Sequence, residues 1–144
     1  MKVVLDNTIL VRANEHAHGL ARELLISLVE SRHVLVLSNE MLHELARVLR
    51  YPRLQEFYGL TEALVYDYVA FLRRSAELVM LNPLVTAPIR DVNDIIVVQT
   101  AIIGEADIIC TNDEDFFEAS IARYLSKYGI SALDDIAFME RLRS

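Results

Sequence analysis

The chain has 144 residues, 53% hydrophobic and 24% charged, with a formal net charge of −7. This length and composition indicate one domain spanning residues 1–144, and the acidic balance argues against a general nucleic-acid binder, which carries a basic face. No apolar run approaches the roughly 20 residues that cross a bilayer, and no secretory signal pattern is found, so we expect no membrane partner. The single cysteine, Cys110, excludes an internal disulfide and suits the cytoplasm, where we expect the protein.

Short β-branched runs alternate along the chain with segments whose apolar residues have helical spacing. The runs predict five strands, at about residues 3–5, 33–37, 79–81, 107–111 and 130–133. The other segments predict helices at about 20–29, 40–49, 61–76, 95–103, 121–128 and 134–142, with a short helix or connection at 53–59. Two prolines predict an extended loop over residues 82–90. This alternation is typical of an α/β domain with a parallel sheet and right-handed crossovers.

Several acidic residues stand where one edge of such a sheet could bring them together. Asp6 ends the first strand, Asp113 follows the fourth, and Asp94 opens the helix between the third and fourth strands. The carboxyl ends of parallel strands share the edge at which open α/β sheets bind their ligands. Glu44 lies at the margin of the apolar face of its helix and could reach the same edge from the side. The pattern therefore allows four carboxylates to meet in one pocket.

Each of these acids also has a plainer explanation. Aspartate between a strand and a helix is a common N-cap, and a glutamate within a helix is commonly solvated. If the acids do meet, their mutual repulsion requires either protonation or a bound cation. Oxygen ligands without histidine or cysteine favour Mg²⁺ or Mn²⁺ over zinc, and such a centre activates water for attack on a phosphodiester.

Four segments of the chain, taken in order, follow a known pattern: VVLDNTILV, LSNEMLHELARVLRYPRL, RDVNDIIVVQTA and ADIICTNDEDFF. In these segments the chain resembles the PIN-domain family of Mg²⁺/Mn²⁺-dependent ribonucleases, especially its VapC-type toxin branch. The resemblance implies a three-layer α/β/α fold whose central, mostly parallel sheet has about five short strands with the first at its centre. It also implies catalytic and metal-holding acids at Asp6, Glu44, Asp94 and Asp113. Residues that would support these acids are Asn7, Thr8, Asp91, Thr111 and Asp115.

The chain departs from the family pattern at two places. Asn7 and Thr8 stand in the reverse of the family's usual Thr-Asn order, and Val92 and Ile95 occupy positions where relatives often have proline and a further aspartate. None of the four core acids is missing. The resemblance therefore still implies an RNA substrate, an antitoxin protein that covers the acidic cleft, and a homodimer.

RNA phosphates require local positive charge. Arg47 and Arg50 are three residues apart and share a helix face near Glu44, and Arg12 follows Asp6. We take these arginines as candidate phosphate contacts, with a solvated helix face as the alternative.

The hypothesis is hydrolysis of single-stranded or loop RNA, with Asp94 or Asp113 accepting a proton from the attacking water. Two other functions stay open at this point: a non-catalytic α/β protein-interaction module, and a phosphatase with Asp6 as nucleophile. The second fits less well because the best-known phosphatases place another aspartate where this chain has Thr8.

Overall fold

Five short strands form one parallel sheet in the computed structural model, which describes residues 1–144. The strands lie in the order β3-β2-β1-β4-β5, so that the first strand is central. All four neighbouring pairs are parallel. Their bounds are β1 Lys2–Leu5, β2 Val34–Ser38, β3 Ala76–Val79, β4 Ile108–Cys110 and β5 Ser131–Leu133.

Eight α-helices join and flank these strands, and a single 3-10 turn at Glu114–Phe117 follows β4. None of the helices is long and apolar enough to span a membrane. Their bounds are α1 Asn7–Arg12, α2 Leu20–Glu30, α3 Asn39–Leu49, α4 Pro52–Tyr58, α5 Glu62–Ser75, α6 Val92–Ile103, α7 Ala119–Ser126 and α8 Asp135–Arg143.

The helices cover both faces of the sheet. The chain moves outward from β1 to β2 and β3, and then crosses back to β4 and β5 on the other side of β1. Because parallel crossovers are right-handed, connections that run in opposite directions lie on opposite faces. Accordingly, α2 contacts β2 and α5 contacts β3, whereas α6 contacts β1, β2 and β4. The predicted three-layer α/β/α fold with a central first strand is confirmed.

The central strands are buried on both faces. Val3, Val4 and Leu5 have no exposed surface, and β4 is equally enclosed. This explains why these segments are continuous apolar runs without alternation. Leu5 pairs with Cys110, and the backbone N–H of Asp6 donates to the Cys110 carbonyl at 3.1 Å.

The strand order predicts a crevice at the carboxyl ends of β1 and β4. The crossovers that leave these two neighbouring strands run in opposite directions, and a crevice opens where connections diverge in this way. Asp6 follows β1 at this point, and Thr111 follows β4. The crevice is therefore flanked by two of the segments that the sequence singled out.

The largest differences from prediction concern three elements. Helix α1, Asn7–Arg12, was not predicted, and it begins directly after Asp6. Strand β3 lies at Ala76–Val79 rather than 79–81, because the chain passes from α5 into the strand without a turn. Helix α6 begins at Val92 and is capped by Asp91, so that Asp94 lies within its first turn instead of before it.

Candidate metal centre

Asp6 forms the buried part of the acidic site, with a residue exposure of 3%. Its Oδ1 accepts from the Thr8 hydroxyl at 2.5 Å and from the Ile9 amide at 3.3 Å, and its Oδ2 accepts from the Thr111 hydroxyl. Burial raises the pKa of Asp6, and these hydrogen bonds oppose that rise because they stabilise the carboxylate. Asp6 is thus held on both oxygens by neutral donors.

Thr111 connects β4 to this buried carboxylate. Its side chain has no exposed surface, and its hydroxyl donates to Asp6 while accepting from the backbone N–H of Asp113 at 3.0 Å. One buried hydroxyl therefore fixes the distance between β1 and the turn that follows β4. Thr8 supports Asp6 from the other side, whereas Asn7 does not contact it: the Asn7 amide lies 3.5 Å from the Met41 carbonyl, and its own oxygen has no partner.

Asp94, Asp113 and Asp115 form a group of three carboxylates, with one oxygen from each within 4.8 Å of the others. Asp91 caps α6 through the amides of Asn93 and Asp94, at 2.8 and 3.3 Å, so that Asp94 lies in the first turn of the helix. Asp113 accepts from the Asp115 amide at 3.0 Å, so a tight turn brings these two acids together. The structure thus places Asp115 among the converging acids, whereas the family resemblance implied a supporting role for it.

The negative charge of this group is not balanced by basic residues. Burial and, after it, the charges of Asp113, Asp91 and Asp6 together raise the pKa of Asp94 to about 7. None of the ion pairs in the structure involves Asp94, Asp113 or Asp115. Three carboxylates without a cationic partner form an oxygen donor set that suits a hard divalent cation. The residues present therefore fit Mg²⁺ or Mn²⁺.

Glu44 does not join the three-carboxylate group. Its oxygens accept from Arg47, at 2.5 Å from Nη2 and 3.0 Å from Nε, and the Asn93 amide lies 3.4 Å from Oε1. The hydrogen bonds from Arg47 lower the pKa of Glu44. The side chain still lines the same cleft as Asp6 and Asp94, which has a volume of about 590 Å³.

The three candidate phosphate contacts all carry acidic partners. Arg47 pairs with Glu44, Arg50 lies 2.9 Å from Glu62, and Arg12 lies 3.3 Å from Asp135. Of these, only Arg12 lines the cleft. Arg53 of α4, a residue that was not among the candidates, also lines the cleft and forms no ion pair. Arg53 is near Glu44 in sequence, but helical spacing does not group it with Arg47 and Arg50 because it belongs to a different helix.

Comparison with known proteins gives a match to a family profile and matches to solved structures. No curated protein matches the chain. The fold is similar to that of a chain in the crystal structure of VapBC2 from Rickettsia felis bound to a DNA fragment from their promoter, with a TM-score of 0.59 at 15% sequence identity. That likeness covers 93% of this chain and 100% of the other. The family profile described as "PIN domain" matches residues 2–115, which is most of the chain. The chain belongs to the PIN-domain family.

Proposed function

We propose that the protein is an endoribonuclease that depends on Mg²⁺ or Mn²⁺ and hydrolyses RNA phosphodiesters. The main observation behind this proposal is the group of three carboxylates formed by Asp94, Asp113 and Asp115. No basic residue compensates their charge, and the group lies beside Asp6. These three acids would hold the ion, and the nearby charge of Asp6, which acts on Asp94, would strengthen the attraction. Glu44, a metal ligand by family resemblance, would join them only after it leaves Arg47.

The ion and the side chains would contribute different parts of the reaction. When bound, Mg²⁺ or Mn²⁺ supplies polarisation of a phosphoryl oxygen and lowers the pKa of a coordinated water. A carboxylate that the ion does not fully engage, Asp94 or Asp113, would accept the proton of the attacking water. Arg12 and Arg53 line the cleft and would bind RNA phosphates through their planar guanidinium groups.

We further propose that the protein is the toxin of a toxin–antitoxin pair, acts in the cytoplasm and forms a homodimer. The resemblance to VapC-type sequences supports an antitoxin partner, and so does the likeness in fold to a chain of the VapBC2 complex. Light scattering after size exclusion, on the protein alone and on the protein co-expressed with its operon neighbour, tests both assemblies. A chain that stays monomeric and binds no neighbour would contradict this part of the proposal.

The nuclease proposal is tested on purified total RNA with Mn²⁺. Wild type should cleave RNA, and Asp6→Asn and Asp94→Asn should reduce cleavage to the level of the EDTA control. Asp67→Asn is the matched control, because it makes the same change on α5 at a residue without an ion pair. Equal cleavage by wild type and both site variants would reject the assignment.

The two alternative functions give different results. A protein-interaction module would show no Mn²⁺ binding in calorimetry. A phosphatase that uses Asp6 as its nucleophile needs an accessible carboxylate, whereas Asp6 is 3% exposed and its oxygens accept from Thr8, Ile9 and Thr111. This burial disfavours nucleophilic attack by Asp6 on a phosphoryl group.

A further inference from the structure

Asp135, the first residue of α8, connects the C-terminal helix to the acidic site. Its Oδ2 accepts from Arg12 Nη2 at 3.3 Å and from the Asn112 side-chain amide at 3.2 Å. The side chain is 13% exposed, in contrast to the 45% of Arg12. Asp135 lies beyond residues 2–115, the segment that the family profile matches.

Asn112 links Asp135 to the residues around Asp6. Its side-chain oxygen accepts from the backbone N–H of Asp135 at 3.3 Å, which completes a reciprocal pair. Its own backbone N–H donates to the Thr8 hydroxyl at 3.1 Å, and that hydroxyl donates to Asp6. The start of α8 is therefore held against the same residues that fix Asp6.

Arg12 is held at two points of its guanidinium. Besides the contact with Asp135, its Nε donates to the Thr8 carbonyl at 3.0 Å, one helical turn earlier. Arg12 lines the cleft together with Asp6 and Asp94. A guanidinium fixed in this way keeps its orientation, and less conformational freedom is lost when an anion binds to it.

We propose that Asp135 is a positioning residue, which holds Arg12 in the direction that meets an RNA phosphate at the mouth of the acidic cleft. The inference rests on the proposed ribonuclease function. It adds to that function a role for the C-terminal helix, α8, in substrate binding. Asp135 itself contacts neither the RNA nor the metal ion; it acts through Arg12.

The direction of the change in RNA affinity distinguishes a positioning role of Asp135 from a purely electrostatic one. The protein carries a net charge of −7, and loss of one acidic charge near the cleft should by itself strengthen binding of a polyanion. A positioning role of Asp135 predicts weaker RNA binding instead, because Arg12 becomes mobile without it. A structural defect of the whole site would instead lower the affinity for Mn²⁺ as well.

The test measures binding of a fluorescein-labelled single-stranded RNA by anisotropy, with Mn²⁺ present, in the Asp6→Asn background that should prevent cleavage. Asp135→Ala and Arg12→Ala should each weaken binding by about three- to tenfold, and the double variant should bind no more weakly than Arg12→Ala. Each variant should also flatten the slope of log K against log salt by about 0.7, as expected for one lost phosphate contact to a single strand. Glu140→Gln, an exposed acid on the same helix, should leave the affinity at or above that of the background protein.

Calorimetry with Mn²⁺ and steady-state cleavage complete the test in the otherwise wild-type chain. Asp135→Ala should keep the Mn²⁺ affinity, raise KM and leave kcat nearly unchanged. Unchanged or tighter RNA binding, additive losses with Arg12→Ala, or a parallel loss of Mn²⁺ affinity would each overturn the inference. If Asp135→Ala fails to fold, Asp135→Asn replaces it, with the same signs expected. Absence of both Mn²⁺ and RNA binding in wild type would overturn the ribonuclease proposal together with this one.

Discussion

Arg47 binds the carboxylate of Glu44 through two hydrogen bonds, of 2.5 and 3.0 Å, three residues along α3. The guanidinium also donates to the Tyr51 hydroxyl at 2.6 Å and lies over that ring at 5.3 Å from its centre. Glu44 is therefore neutralised within its own helix, although family resemblance makes it a metal ligand. Binding of Glu44 to an ion requires that this pair open.

The first prediction follows from this competition. Arg47→Ala should increase the affinity for Mn²⁺, measured by calorimetry, because it frees the Glu44 carboxylate. Exposed ion pairs contribute at most about 1 kcal/mol, so the gain should not exceed about fivefold. The gain should vanish when Glu44→Gln is added. Arg50→Ala is the control, since Arg50 pairs with Glu62 outside the cleft and should leave the affinity unchanged.

The second prediction concerns the pH dependence of stability without metal. The pKa of Asp94 rises from its ordinary value of 3.8 to about 7, first through burial and then through repulsion by neighbouring acids. The folded state therefore binds more protons at this site than the unfolded state, and the resulting stabilisation, complete below pH 4, is lost as pH rises through 7. Asp94→Asn removes this dependence. In EDTA, the Tm of Asp94→Asn relative to wild type should rise steadily from pH 4 to pH 7.

The outcome that would contradict this assignment is a Tm difference that stays constant across that range. Addition of Mn²⁺ at pH 7.5 should raise the Tm of wild type, because an ion that binds only the folded state stabilises it by mass action. The same addition should leave Asp94→Asn nearly unchanged.

The third prediction concerns the buried hydroxyl of Thr111. Thr111→Val removes the donor to Asp6 and the acceptor of the Asp113 amide while keeping a similar volume. Unfolding by urea should show a loss of about 1–3 kcal/mol, the usual effect of leaving a buried polar group without its partner. Thr111→Ser retains the hydroxyl and is the matched control. If the two variants are equally stable, these hydrogen bonds contribute nothing.

The fourth prediction concerns Gly104, after α6. Its φ is −78°, so its conformation is open to any residue, but a Cβ at this position would lie 2.5 Å from Cγ1 of Val36 in β2. Gly104→Ala should therefore destabilise the protein by about 1–3 kcal/mol through overpacking, measured by urea unfolding. Adding Val36→Ala removes the obstructing methyl group, so the double variant should lose less stability than the sum of the single changes. Strict additivity would contradict the close approach.

Gly104 also shows what the sequence could and could not predict. Helix α6 ends at Ile103, as predicted, and the glycine that follows it is needed for close packing against β2 rather than for a left-handed backbone conformation. The central strands were predictable because burial on both faces leaves continuous apolar runs. Helix α1 was not, because six residues are too few to show helical spacing and its β-branched residues resemble an extension of β1.

The acidic site was predictable at the level of chain segments but not of individual contacts. Strand ends and helix starts indicated Asp6, Asp94 and Asp113, because a parallel sheet brings such positions to one edge. The position of Glu44 depends on an ion pair with Arg47 that only the folded geometry reveals. The approach of Asp115 depends on a tight turn whose geometry the sequence does not specify.

The fifth prediction ranks these two acids as metal ligands. Asp115 has an oxygen within 4.8 Å of those of Asp94 and Asp113, whereas Glu44 is engaged by Arg47. Asp115→Asn removes charge from the group itself and should weaken Mn²⁺ binding by about tenfold, or about 1.4 kcal/mol. Glu44→Gln should change the affinity by less than about threefold, because the ion pair already offsets its charge. In an Arg47→Ala background Glu44 is free, and the effect of Glu44→Gln should then grow. A larger loss of Mn²⁺ affinity from Glu44→Gln than from Asp115→Asn in the wild-type background would contradict this ranking. It would show that the ion readily displaces Arg47 and that Glu44 is a metal ligand in the wild-type protein.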